Sequence, residues 1–283
     1  MDRSRPTDDD PRPTRPYGHV CWAYDDPAGL AARAREFLAD GLAAGEQVWY
    51  AAPDPPDPVA ERLRGARVLA DGFRRGAARI VPLNATYDAG AAVDPEAQAA
   101  VFVAAAETAL ADGYAGLRVV ADCTSLVRTP AALEAFARYE HVVDREMQRR
   151  PLAGLCAFDR TRLDDRILVE LACLHQETNV DAALFRLHAC DPDAGCAALT
   201  GELDPSTHEL FAQALDRVDP RPVDGRLVLD ASGLRYVDHR SLLLLQDFAR
   251  GRHATAVLRT SRSAATRLVE LLDLPGVRVE AAC

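Results

Sequence analysis

Lysine is absent from this chain: all 33 basic residues are arginine. That removes the ammonium of a phosphate-binding P-loop, the Schiff-base amine and the ATP-pairing lysine of kinases. Long apolar runs are missing too, and no stretch approaches the roughly 18 uncharged residues that a membrane helix needs. Residues 1–16, MDRSRPTDDDPRPTRP, lack the apolar segment of a secretory signal, so a cytoplasmic location is expected. Positive charge is scarce. With 43 acidic residues the net charge is −10, and no basic stripe offers itself to nucleic acid. A CxxC pair is also lacking. The seven cysteines (21, 123, 156, 173, 190, 196 and 283) are odd in number and scattered, as buried reduced thiols would be. No serine sits in a GxSxG context, and no enzymatic activity is expected.

What is present is the composition of a globular protein, 48% apolar and 27% charged, over a length that suits two domains. Residues 1–16 read as a disordered tail. From Tyr17 apolar runs of strand length alternate with amphipathic segments. Strands are expected at 19–24, 47–52, 79–83, 117–122 and 152–158. Helices are expected at 28–41, 59–69, 95–112, 130–149 and 163–177. Such alternation predicts an α/β fold with a parallel sheet and flanking helices. The pattern changes near 180–183. Two paired strands at 184–187 and 196–199, a helix at 205–218, strands at 227–229, 254–258 and 277–280, and a helix at 263–272 make a second, smaller α/β unit. The expected division is 1–16, 17–181 and 182–283.

The stretch 227–248, LVLDASGLRYVDHRSLLLLQDF, organises the second unit. An apolar strand ends at Asp230, Ser232-Gly233 turns the chain, and Asp238 stands where a helix N-cap belongs, ahead of Leu242 to Leu245. The free N–H groups of a helix start suit an anion or a partner's acidic group.

These pieces carry a resemblance. Gly201-Glu202-Leu203-Asp204, Leu229 to Leu234, Val237-Asp238 and Leu271 to Val277 follow in the order of a STAS domain of the anti-sigma factor antagonist type. That family implies docking on an anti-sigma factor or a serine kinase of the anti-sigma type, through the helix start at Asp238, His239, Arg240 and Ser241. It also implies phosphorylation two residues after the strand-ending aspartate. Here that position is Arg240, which accepts no phosphoryl group in serine chemistry, and Ser241 is the displaced candidate acceptor. The degenerate acceptor shifts the expected control to the first unit.

Residues 17–180 resemble a MEDS (methanogen/methylotroph sensory) domain with a RecA-like core. The resemblance rests on His19-Val20-Cys21 with Tyr24, Gly45-Glu46, Gly116 to Val119, Tyr139-Glu140, Leu155 to Asp159 and His175. It implies a sensor of a signal or small molecule, with a homo-oligomer as one assembly. Ligands of open α/β sheets gather at strand C-terminal ends, so the expected pocket draws on His19, Tyr24, Glu46, Arg118, Asp122, Glu140, Asp159 and His175, with Asp122 and Asp159 foremost. His19, Cys21, Cys156, Cys173 and His175 are of metal-binding type, but their spacing matches no finger. Buried thiols and hydrogen-bonded histidines, with neither metal nor cofactor, are the expectation. The rival reading is a nucleotide-binding protein or ATPase using the RecA-like core. The proline- and aspartate-rich loop 53–58 would repel a triphosphate and argues against it.

Overall fold

Three helices of the first unit begin with the same device, a short polar residue followed by proline. Asp26 Oδ1 accepts the N–H groups of Ala28 and Gly29 ahead of α1 (Pro27–Ala43). Asp94 Oδ1 accepts from Ala97 ahead of α4 (Pro95–Ala111), and Thr129 Oγ1 accepts from Ala132 ahead of α5 (Pro130–Arg149). Each cap satisfies a free N–H while proline, which has none, takes the first turn. These starts come from a computed structural model that describes residues 18–52, 58–87, 92–191 and 196–281. The tail 1–16 and most of the loop 53–58, both given roles above, lie outside the described residues.

The strands are β1 (His19–Tyr24), β2 (Gln47–Ala52), β3 (Ala78–Pro82), β4 (Leu117–Asp122), β5 (Leu152–Asp159) and β6 (Glu177–Thr178). They form a parallel sheet in the order β3-β2-β4-β5-β1-β6. Its central strands are apolar over most of their length, since helices cover both faces, with His19, Arg118, Asp122 and Asp159 among the polar exceptions. On one face α1, with α2 (Pro58–Arg64), packs Leu30, Phe37, Leu38, Val59 and Leu63 on Val48, Tyr50, Val120 and Leu155. On the other, α4, α5 and α6 (Asp165–Ala172) pack Phe102, Phe136, Tyr139 and Leu168 on Val119, Cys156 and Phe158.

Two elements depart from expectation. The segment 59–69 holds only the short α2, which stops at Gly65, and a separate α3 (Ala70–Arg75) follows. The helix expected over 163–177 ends at Ala172, because the next residues are claimed by the sheet edge. Glu177 and Thr178 pair with Val20 and Cys21, and the Asn179 side-chain amide brackets the N–H and C=O of Ala23.

The second unit contains β7 (Phe185–Asp191), β8 (Cys196–Leu203), α7 (His208–Val218), β9 (Arg226–Asp230), β10 (Leu234–Val237), α8 (His239–Gly251), β11 (Thr255–Arg259), α9 (Ser263–Leu271) and β12 (Val277–Glu280). The sheet runs β10-β8-β9-β11-β12 in parallel, with β7 antiparallel on β8. β8 pairs with β9 through Ala197 and Ala198, then with β10 from Gly201 onward. Gly201 has φ +91°, and a Cβ there would lie 2.2 Å from the Leu184 carbonyl oxygen, so glycine is required.

The units share packing through α5. Ala137 of α5, with Cys173 and Leu174 after α6, belongs to the core built by Phe185, Leu187, Phe211 and Leu215. The Leu187 N–H donates to the Cys173 carbonyl at 2.7 Å. Arg217 of α7, 5% exposed, reaches Glu134 Oε2 at 2.9 Å and Glu170 Oε2 at 2.8 Å. No helix among the described residues is long and apolar enough to cross a membrane.

Candidate functional site

The eight residues expected to line one pocket fall into three places. Arg118, near the start of β4, pairs with Glu46 at 2.6 Å and lies over the Phe37 ring, on the α1 side of the sheet. Tyr24, Asp122 and Asp159 do gather at the strand C-terminal ends. There the Tyr24 hydroxyl donates to Asp122 Oδ2 at 2.7 Å and Thr124 Oγ1 donates to Asp122 Oδ1 at 2.6 Å. Asp159 Oδ1 accepts from the hydroxyl of Thr161, while its own N–H donates to Thr124 Oγ1. Burial and the Asp122 carboxylate push the Tyr24 phenol far above its ordinary range. These carboxylates are thus spent largely on local turns and on Tyr24.

The remaining three, His19, Glu140 and His175, converge on the α5 side of the sheet, where Cys156 joins them. Register explains the meeting. His19 pairs with Gly154 and Cys21 with Cys156, so the side chains of His19 and Cys156 emerge on the same face of the sheet, two positions apart on neighbouring strands. Glu140 descends from α5, and His175 follows α6. All four residues are buried, and their donor atoms lie within 4.8 Å of one another. His19 Nε2 is 2.9 Å from Glu140 Oε2, and His175 Nε2 is 3.5 Å from the same oxygen. Cys156 Sγ stands 3.6 Å from Glu140 Oε2 and 3.8 Å from His19 Nε2. The outward nitrogens are also addressed. His175 Nδ1 lies 2.9 Å from the Leu171 carbonyl oxygen, and His19 Nδ1 lies 3.5 Å from Asp144 Oδ1.

Electrostatics follow from burial. Desolvation would raise the Glu140 carboxyl, but the two imidazoles outweigh it and bring the pKa down to about 2. For His19, burial lowers the pKa while Asp144, Cys156 and Glu140 raise it, and the net shift is upward. The Cys156 thiol is pushed up by its contact with Cys123 and by burial. A cavity of about 20 Å³, lined in part by Tyr87, Tyr139, Met147 and Cys156, adjoins the cluster. Cys21 and Cys173, grouped with these histidines on sequence grounds, are not among the four; Cys173 faces the second unit's core.

Asp144 gives the cluster a connection outward. One turn after Glu140 on α5, it turns Oδ1 toward His19, and its Oδ2 accepts the Ala189 N–H of β7 at 2.7 Å.

In the second unit, Asp238 caps α8 as its sequence position demands. Oδ1 accepts the Ser241 N–H at 2.8 Å, and Oδ2 lies 2.7 Å from His208 Nε2. Burial works to raise this carboxyl, but the Ser241 N–H and His208 hold it below the usual carboxylate range. His239 and Arg240 are exposed on the first turn. Ser241 is only 1% exposed, with its side chain turned inward. A phosphate on Ser241 would need the helix start to move. Beside the cap lies a groove of about 330 Å³, walled by Tyr236, Asp238, His239, Arg262, Ala264 and Leu268 among others. Sequence reasoning missed the far wall, because Arg262 and Leu268 come from the segment after β11, which pattern alone does not bring to Asp238. Tyr236 was the available signal, a large aromatic that stands exposed beside Arg235 in a short strand whose register shifts between Leu234 and Tyr236.

Residues 18–176 match the family described as MEthanogen/methylotroph, DcmR Sensory domain (MEDS), and residues 190–279 match the family described as Mlab, STAS domain. Curated proteins provide no match.

Proposed function

We propose, from the premise that this chain belongs to the MEDS family of sensory domains and carries a STAS domain behind it, that it is a non-enzymatic regulator whose first unit receives a signal and whose second unit delivers it to a protein. The domain pair is that of a signalling or regulatory protein, and STAS domains generally interact with other proteins. The finer reading is that the partner is an anti-sigma factor or a serine kinase of the anti-sigma type, docking on the groove beside Asp238.

One observation supports this most. The same helix, α5, carries Glu140 into the buried cluster and Asp144 onto β7 of the output unit. A change at the cluster therefore has a short, buried route to the second sheet. The exposed pair His239-Arg240 supports the partner face, and arginine at the acceptor position supports control from the first unit rather than by phosphorylation.

The test is a calorimetric titration of the full chain against the anti-sigma kinases of its own genome, with phosphorylation followed by mass spectrometry. We expect one of them to bind and to leave the chain unmodified, while Arg240→Ser becomes phosphorylated. If none binds, the partner reading fails. If the variant binds its kinase and stays unmodified, the placement of the acceptor at position 240 is wrong.

A further inference from the structure

We propose that His19, Glu140, Cys156 and His175 form a binding site for a borderline divalent metal ion, zinc(II) foremost. The inference concerns what the first unit binds, and it stands or falls apart from the identity of the partner.

Geometry comes first. A tetrahedral zinc with bonds of about 2.0 Å to nitrogen or oxygen and about 2.3 Å to sulfur separates its donors by roughly 3.3–3.7 Å. Of four donor separations in the cluster three, 3.5, 3.6 and 3.8 Å, fall at or beside that range. The fourth, 2.9 Å between His19 Nε2 and Glu140 Oε2, asks for a small opening. The adjoining cavity of about 20 Å³ gives Cys156 room to shift as the pair opens, and the side chain packed beside Gly154 is the flexible Met147.

Unmet polar atoms come second. His175 Nε2, Glu140 Oε1 and His19 Nδ1 are buried without a hydrogen-bond partner, the two ring nitrogens each standing 3.5 Å from a carboxylate oxygen. Such atoms are costly in a protein interior, and each requires an explanation. For His175 the explanation is specific. Its Nδ1 is engaged by the Leu171 carbonyl, which fixes the tautomer with the Nε2 lone pair free and pointing at the cluster. That is the arrangement of a metal-ligating histidine, whose second nitrogen donates to a carbonyl or carboxylate. His19 has the matching outer group in Asp144.

Donor chemistry comes third. Two imidazoles, one thiolate and one carboxylate suit zinc or a neighbouring transition ion, and not calcium or magnesium, which take oxygen ligands. The thiolate and the Glu140 carboxylate together balance a divalent charge, and on binding the Cys156 thiol and the His19 imidazolium would each release a proton to solvent. With all four positions filled by protein, the site is of the closed kind that holds a metal rather than activating water.

The experiment uses the full chain. Metal is measured by inductively coupled plasma mass spectrometry after purification, and the chelated protein is then titrated with cobalt(II). We expect close to one zinc per chain and, with cobalt, tetrahedral d–d bands plus a thiolate-to-cobalt charge-transfer band. Cys156→Ser should abolish the charge-transfer band, whereas Cys173→Ser should keep it. His175→Gln should keep the band and weaken cobalt binding by about tenfold or more. Wild-type protein that takes up neither zinc nor cobalt overturns the proposal without reference to any variant. A charge-transfer band that survives Cys156→Ser, or cobalt affinity unchanged in His175→Gln, does so too.

Discussion

Asp238 serves the second unit twice, as the cap of α8 and as the partner of His208. Asparagine caps a helix about as well as aspartate. Asp238→Asn therefore keeps the shape and a cap oxygen and loses only the charge that faces the Ser241 N–H and His208, so urea unfolding at neutral pH should find it less stable by about 1 kcal/mol, the difference between a charged and a neutral hydrogen bond. The sign of the pH dependence follows from the lowered carboxyl. A depressed folded pKa gives stability that is present above the unfolded value of about 4 and is lost as the pH falls through the folded value. The gap between wild type and Asp238→Asn should therefore be full at neutral pH and close as the pH is taken below about 4. A gap that stays constant into acid would assign the effect to packing alone. The same residue illustrates what sequence makes legible at this scale. An N-cap is a local matter of three or four residues, so Asp238 could be placed from its neighbours. Whether Ser241 points in or out depends on what α8 packs against, and its burial was not readable.

At the scale of elements, α5 is the component on which both units depend. Phe136, Tyr139 and Val143 belong to the first unit's core, Ala137 to the second's, and Glu140 and Asp144 lie between. Sequence predicts the helix with its full length, because Thr129-Pro130 starts it and its apolar residues keep helical spacing. Its double role was hidden, since the contacts it makes with the second unit come from small or charged residues, Ala137, Glu134 and Asp144, which read as a solvated face. Arg217 is the clamp across this junction, and removing it leaves Glu170 with Arg166 as its remaining cation. Breaking a buried pair is worth about 3 kcal/mol at the lower end, and Arg166 keeps the loss there. Arg217→Met should lower stability by that amount in chemical denaturation, and limited proteolysis should cut between α6 and β7 faster than in wild type. Unchanged stability and cleavage would mean that α5 and α7 are held by apolar packing alone.

At the scale of the whole molecule, the parallel sheet and the smaller sheet behind it were legible because each strand carries its own apolar run and each helix its own period. The site was legible only in part. His19, Glu140 and His175 stood among the expected pocket residues, but so did Arg118, which the fold places on the α1 face of the sheet, and Asp122 and Asp159, which it places at the strand C-terminal ends. Cys156 was read as a core thiol. What brings it to the histidines is the pairing of β1 with β5, a contact between positions more than a hundred residues apart that no local pattern encodes. In the proposed function, the first unit's occupancy governs the second unit's partner face through α5. The most direct test is the affinity of the full chain for the anti-sigma kinase proposed as its partner, measured by calorimetry with zinc and again with excess chelator. Coupling between sites is worth about fivefold or more in affinity. The account predicts a difference of at least that size, reduced in Asp144→Asn. Equal affinity in the two conditions, in a chain shown to bind both zinc and kinase, would contradict it.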